Sequence, residues 1–273
     1  MKGYIMPLLG WKPLIGVVHL PPLPSIGRPS DLERIVEYAV EEARKLESAG
    51  FDAVLIENYG DAPYAPEGVD ALGLASLTVI AREVARSVSL PVGLNVLRNG
   101  GVQAATAAYA SGARFVRVNG LCEVRVSVEG VWGALAHDVW AILRSLTRKI
   151  AVLADIDVKH SYPLQGNVKG WSIVRDCVER ASPDAIVVTG AETGKPPDPG
   201  YVASIRGLAG IPVIVGSGIN SSNIRAYWSI ADGFIVGTSV KVGGRTHNPI
   251  DLKAAKELAE KAKELRAREA QKG

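Results

Sequence analysis

Short apolar runs alternate with longer amphipathic segments along the whole chain. The runs cover residues 14–20, 53–56, 91–97, 115–118, 150–156, 185–189, 211–215 and 233–236. Each is rich in Val, Ile and Leu and lacks polar alternation, the pattern of strands covered on both faces. The segments between them have helical spacing. In residues 30–48, Leu32, Ile35, Val36, Ala39, Ala43 and Leu46 fall on one face, and Ser30 with Glu33 has the spacing of a capping box. The loops entering the strands repeat a theme, Gly50-Phe51-Asp52, Gly112-Ala113-Arg114, Ser182-Pro183-Asp184 and Gly210-Ile211-Pro212. Glycine there caps a helix, and proline opens a strand where one amide is spare. A last helix is expected over residues 249–270, with Glu257/Lys261 and Glu264/Arg268 four apart.

Eight strand candidates, each with a following helix, most simply close into a parallel (β/α)8 barrel. An open doubly wound sheet is the rival, but no Gly-x-Gly-x-x-Gly follows the first strand. The expectation is one barrel domain over residues 1–273, with a lead-in to residue 13 and a last helix and tail from residue 249.

Composition removes several function classes. Of 273 residues, 47% are hydrophobic and 22% charged, as in globular proteins rather than disordered chains. Lys and Arg number 31 against 28 Asp and Glu, with no basic stripe or aromatic platform, which argues against nucleic-acid binding. No apolar stretch is long enough to span a membrane, and the first eleven residues are too short for an export leader. The two cysteines, Cys122 and Cys177, form no spaced framework and read as inert thiols of a reducing, cytoplasmic compartment.

Candidate chemistry gathers at the ends of the runs. Val215-Gly-Ser-Gly-Ile-Asn-Ser-Ser-Asn223 leaves the seventh strand and opens a helix at Asn220 or Ser221, and Val236-Gly-Thr-Ser-Val-Lys241 leaves the eighth. In barrels of this kind those two loops hold phosphate, because glycine lets backbone amides approach an oxyanion closely. Gly216, Ser217, Gly218, Gly237, Thr238 and Ser239 are therefore the expected anion contacts, with Thr189 at the end of the sixth run beside them. His19, Glu57, Asn95, Arg117, Asn119, Asp155 and Asp157 terminate five successive runs. A period of two sets Asp155 and Asp157 on one face with Ala151 and Leu153, and Arg117 and Asn119 with Phe115. Ionisable groups thus cluster at the mouth, where burial without partners costs several kcal/mol. Asp155 is the expected base, Lys159 or His160 the acid, and Arg117 the orienting charge. Glu57, Asp155, Asp157 and His160 are also compatible with a divalent metal, yet Arg117 and Lys159 supply neutralising charge without one, so no cofactor is required.

His137 falls in a helical stretch over residues 128–146 and reads as surface or packing, and His247 as a cap of the last helix. The loops Pro21-Pro-Leu-Pro24 and Asp61-Ala-Pro-Tyr64 lie over the mouth as candidate lids.

Several blocks also resemble the BtpA family: Gly16-Val-Val-His-Leu-Pro-Pro-Leu-Pro24, Glu57-Asn-Tyr-Gly-Asp-Ala-Pro-Tyr64, Gly93-Leu-Asn-Val-Leu97, Arg117-Val-Asn119, Asp155-Ile-Asp-Val-Lys-His-Ser161, Val188-Thr-Gly-Ala191 and Gly216-Ser-Gly218. One stretch departs: Cys122-Glu-Val-Arg-Val126 stands where the resemblance leads one to expect Thr-Asp. The resemblance implies a ribulose-phosphate-binding type of (β/α)8 barrel. It also implies either an enzyme of isomerase, lyase or nucleoside-phosphate hydrolase type, or a biogenesis factor for a membrane complex such as photosystem I. The expected partner is a phosphorylated small molecule, a sugar phosphate or nucleotide derivative; self-association stays open.

Overall fold

The structure is a computed structural model and describes residues 5–164 and 170–271; the first four residues of the expected lead-in and the last two of the tail lie outside that range. Eight parallel strands close into a barrel: β1 (Leu14–His19), β2 (Ala53–Glu57), β3 (Val92–Asn95), β4 (Phe115–Val118), β5 (Ala151–Ile156), β6 (Ala185–Val188), β7 (Val213–Val215) and β8 (Gly233–Val236). They neighbour one another in chain order, and β1 pairs with both β2 and β8. Every strand residue is buried, which is why the runs carry no polar alternation.

The strands hold two separate cores. Ile15, Val17, Leu55, Phe115, Leu153, Val187, Ile214 and Ile235 fill the barrel, and α1 (Ile5–Leu9) inserts Ile5 and Leu9 among them. The alternate residues face the helical shell of α2 (Leu32–Ala49), α3 (Ala71–Ser87), α4 (Gly101–Ser111), α5 (Ala136–Arg144), α6 (Gly170–Asp176), α7 (Pro199–Ala209), α8 (Ile224–Tyr227) and α9 (Leu252–Ala270). An aspartate before three strands accepts an amide from the start of the neighbouring strand. Asp52 takes that of Leu14, and Asp232 that of Val213; Asp184 takes that of Val152. These carboxylates satisfy donors that closure of the sheet would otherwise bury unpaired.

Three local expectations are corrected. Asp31, not Ser30, caps α2, its carboxylate accepting from the Arg34 amide at 3.3 Å and adding a charge favourable at a helix start. Residues 128–146 are not one helix. Gly130 and Gly133 take positive φ, and residues 124–127 and 130–133 pair as a hairpin that 162–163 extends to three strands before α5 begins. His137 is exposed on α5. Asp251 caps α9, where Glu264 pairs with Lys261 at 3.1 Å and Glu257 accepts from Ser221, in place of the pairs four apart; His247 packs on Tyr59 instead of capping.

Cys122 and Cys177 are joined by a disulfide across 55 residues, with Cα atoms 5.4 Å apart. The barrel brings the β4 loop against the end of α6, a proximity that spacing along the chain does not reveal. This overturns the reading of two inert thiols and removes the cysteine argument for a reducing compartment. Cys122→Ser is expected to cost about 2–4 kcal/mol by restoring freedom to the unfolded chain. Urea melts of the variant that match those of the oxidised protein would refute this.

Candidate active site

The barrel mouth is built by the period-two alternation of β1 to β5. His19, Glu57, Asn95 and Arg117 end the inward faces of four strands, and Asp155 that of the fifth. Asp155 is 1% exposed and accepts Arg117 Nε at 2.8 Å, Arg117 Nη2 at 2.9 Å and Asn119 Nδ2 at 2.7 Å. Asn95 in turn donates to Asn119 Oδ1 and to the Arg117 carbonyl, both at 3.0 Å. Arg117 Nη1 lies 3.8 Å from Glu57, and Glu57 lies 3.8 Å from His19 Nε2. The result is one polar chain around half of the barrel. Burial, reinforced by Lys241 and Lys159, holds the His19 imidazole well below its usual pKa and therefore neutral.

Asp157 leaves this cluster. β5 stops at Ile156, Asp157 takes φ 52°, and the left-handed residue ends the alternation that put it beside Asp155. Its carboxylate is exposed and meets Arg125 Nη2 at 3.0 Å. Arg125 is buried and also bonds Glu123, the Val158 carbonyl and both oxygens of Ser161; the Asp157 amide donates to Glu123. This clamp, in the stretch that departs from the BtpA pattern, folds the turn that presents Lys159. His160 is exposed and reaches Thr193 at 3.1 Å. Asp155, Asp157 and His160 therefore do not converge, and among the described residues no group of three His, Cys, Asp or Glu is arranged to hold a metal ion.

The anion loops close the other half of the mouth. Ser239 Oγ donates to the Ile219 carbonyl and ties the two together. The helix expected at Asn220 is a turn over residues 221–223, capped by the Asn220 side chain, and α8 starts at Ile224. Gly218 takes φ 70°, and a Cβ there would meet Pro196 N at 2.0 Å. The loop over residues 190–198 thus lies directly on this turn. Ser217 holds it, accepting from the Gly190 amide and donating to the Lys195 carbonyl. Thr189 is buried and accepts from the Lys159 amide at 3.4 Å. The two expected lids instead lock to each other as a fixed rim, the Leu23 amide donating to Asp61 and the Gly60 amide to the Leu20 carbonyl.

Inside, a cavity of about 30 Å³ remains, room for a water molecule or two, bounded by His19, Glu57, Tyr59, Arg117, Lys159, Thr193, Gly194, Gly216, Ser217, Gly218, Gly237 and Thr238. Larger clefts lie on the flank beside Trp132, about 490 Å³, and beneath the barrel beside Trp11, about 670 Å³. Neither brings several ionisable groups together. The sequence reading missed Tyr59, Thr193 and Gly194, because they come from loops, and Glu123 and Arg125, because their partners are distant in the chain.

Fold and site define a (β/α)8 barrel with glycine-rich turns after β7 and β8 facing a charged mouth. The chain belongs to the BtpA family, whose profile matches residues 10–264. It is 43% identical to an uncharacterized protein of Methanocaldococcus jannaschii over 96% of this chain and 99% of that one. It is 37% identical to the photosystem I biogenesis protein BtpA of Synechocystis over 88% of this chain and 84% of that one. Among solved structures, thiamine phosphate pyrophosphorylase from Pyrococcus furiosus aligns with TM-score 0.58 at 14% identity, covering 93% of this chain and 96% of that chain. N-(5'-phosphoribosyl)anthranilate isomerase from Pyrococcus furiosus does so with TM-score 0.58 at 17% identity, covering 92% and 98%. At those identities the likeness is one of fold. No helix among the described residues is long and apolar enough to cross a membrane.

Proposed function

We propose that the protein is an enzyme that binds a phosphorylated small molecule in the barrel mouth and acts on it by proton transfer. One observation carries this reading: the two glycine-rich turns and the ionisable groups of β1, β2 and β4 line the same cavity. Glycine at 216, 218 and 237 puts no side chain on the cavity wall, Gly218 lying under Pro196 until residues 190–198 move, and Arg117 adds positive charge opposite. The names of two structural neighbours, a thiamine phosphate pyrophosphorylase and a phosphoribosylanthranilate isomerase, point to phosphorylated compounds and support the same reading. Asp155, the base expected from its place in the run, has both oxygens engaged behind Arg117, which gives it a positioning task. Glu57 faces the cavity and takes the proton-carrying role, with the Lys159 amine in the same wall. Residues 190–198 must swing away for a ligand to enter.

Thr238→Asp places a like charge at the anion site without the backbone clash that any side chain at 218 would cause. It is expected to weaken inorganic phosphate binding by roughly tenfold or more while leaving the melting temperature near that of the parent. Calorimetric titration checks this, and equal affinities would remove the anion site.

A second reading, a biogenesis factor acting through its surface, draws on exposed Val128, Val131, Tyr162 and Leu164 around the small three-stranded sheet. Val128→Asp and Tyr162→Asp would then abolish the cellular role with phosphate binding intact; full retention of that role argues for the enzyme.

A further inference from the structure

We propose that Lys159 is an amine nucleophile and that the ligand is a phosphorylated aldehyde or ketone, whose carbonyl carbon Lys159 captures as an iminium. The inference deepens the reading of the mouth as a phosphate-binding enzyme site and rests on it.

Among the described residues five lysines lie wholly or partly inside the protein, and four have partners: Lys45 pairs with Glu41 and Glu42, and Lys261 with Glu264. Lys12 Nζ donates to the carbonyls of Trp228 and Ala231 and lies 3.7 Å from Glu269. Lys241 Nζ lies 3.2 Å from Glu42. Lys159 differs. It is half-buried in the wall of the small mouth cavity, and among the described residues its amine makes no hydrogen bond or ion pair. Desolvating an amine without a partner is costly, so its placement calls for a reason. The placement is also built. Left-handed turns at Asp157 and His160 bracket Lys159, and Arg125 pins that turn through Val158, Ser161 and Asp157. Burial, then the neighbouring Arg117, pushes the Lys159 pKa below the usual lysine range, against the pull of Glu57 and Asp155. A larger share of the amine is then neutral and nucleophilic, as in lysines that form Schiff bases.

The chemistry closes without another reactant. The nitrogen lone pair adds to the carbonyl carbon, the π pair moves to oxygen, and a proton passes from nitrogen to that oxygen. The resulting hydroxyl takes a second proton, leaves as water, and the nitrogen lone pair forms the C=N bond. Glu57, in the same cavity wall, is placed to carry those protons. The iminium then draws electrons from a bond at the adjacent carbon, while the glycine turns after β7 and β8 hold the phosphate.

The test is reductive trapping of the intact protein with dihydroxyacetone phosphate and sodium borohydride, read by mass spectrometry and peptide mapping. The expected result is one adduct, of the probe's mass less one oxygen, on Lys159. It should exceed that from unphosphorylated dihydroxyacetone by roughly tenfold or more, be suppressed by inorganic phosphate, and vanish in Lys159→Arg, whose melting temperature confirms folding. Calorimetric titration with inorganic phosphate runs alongside. Phosphate binding without labelling of Lys159 above other lysines overturns the nucleophile and leaves the anion site standing. Equal labelling by the unphosphorylated probe overturns the phosphorylated-carbonyl assignment. If neither binding nor labelling occurs, both readings fall.

Discussion

Replacing Arg117 with Met lowers stability by about 3–5 kcal/mol at neutral pH, because it removes the partner of a buried carboxylate. Asp155 keeps only the Asn119 hydrogen bond, and Glu57 loses the positive charge 3.8 Å away. Asp155→Asn, though nearly isosteric, turns an NH2 group toward the Arg117 or Asn119 donors and leaves the buried guanidinium only Glu57 at 3.8 Å, so it too is expected to cost about 3 kcal/mol or more. Denaturant melts at neutral pH measure both. A neutral-pH loss below about 1 kcal/mol for Arg117→Met would show that the carboxylates do not depend on it.

Strand period and inward parity were legible because both follow from a covalent repeat. His19, Glu57, Asn95, Arg117 and Asp155 meet at the mouth for the reason that Ile15, Leu55 and Leu153 meet below them. Parity fails one residue past a strand. Asp157 has the right spacing but a left-handed backbone, and Arg125, 32 residues away on the small three-stranded sheet, decides its direction. The same limit hid the disulfide and the loop over residues 190–198. Nothing local to Pro196 predicts its seat on Gly218; both follow from closure of the barrel. The hairpin was lost differently. Val131, Trp132 and Leu135 have plausible helical spacing, and only the positive φ of Gly130 and Gly133 separates strand from helix there.

Glu42 shows how a charge inside a helix face that reads as apolar can govern stability. It sits on the buried side of α2 among Ile35, Ala39, Ala43 and Leu46. Its Oε2 accepts the Ile250 amide at 2.7 Å and lies 3.2 Å from Lys241 Nζ; its Oε1 lies 3.0 Å from Lys45. It thus ties α2 to the chain between β8 and α9. The two ends of the ion pair are not equivalent. Lys241→Met leaves Glu42 with Lys45 and the Ile250 amide and is expected to cost only about 1–2 kcal/mol. Glu42→Ala strands a fully buried ammonium and a backbone amide together, and is expected to cost about 3–5 kcal/mol. Burial already pushes the Lys241 pKa below the usual lysine range despite Glu42. In Glu42→Ala it falls further, so between that value and about 10.4 the unfolded chain binds the additional proton. Stability of the variant therefore rises with pH through this window, narrowing its gap to the parent on the alkaline side. Urea melts at neutral and alkaline pH decide the matter. Equal losses for the two single variants, or a gap that does not narrow with pH, would mean that Lys241 is not held by Glu42 as a buried charge.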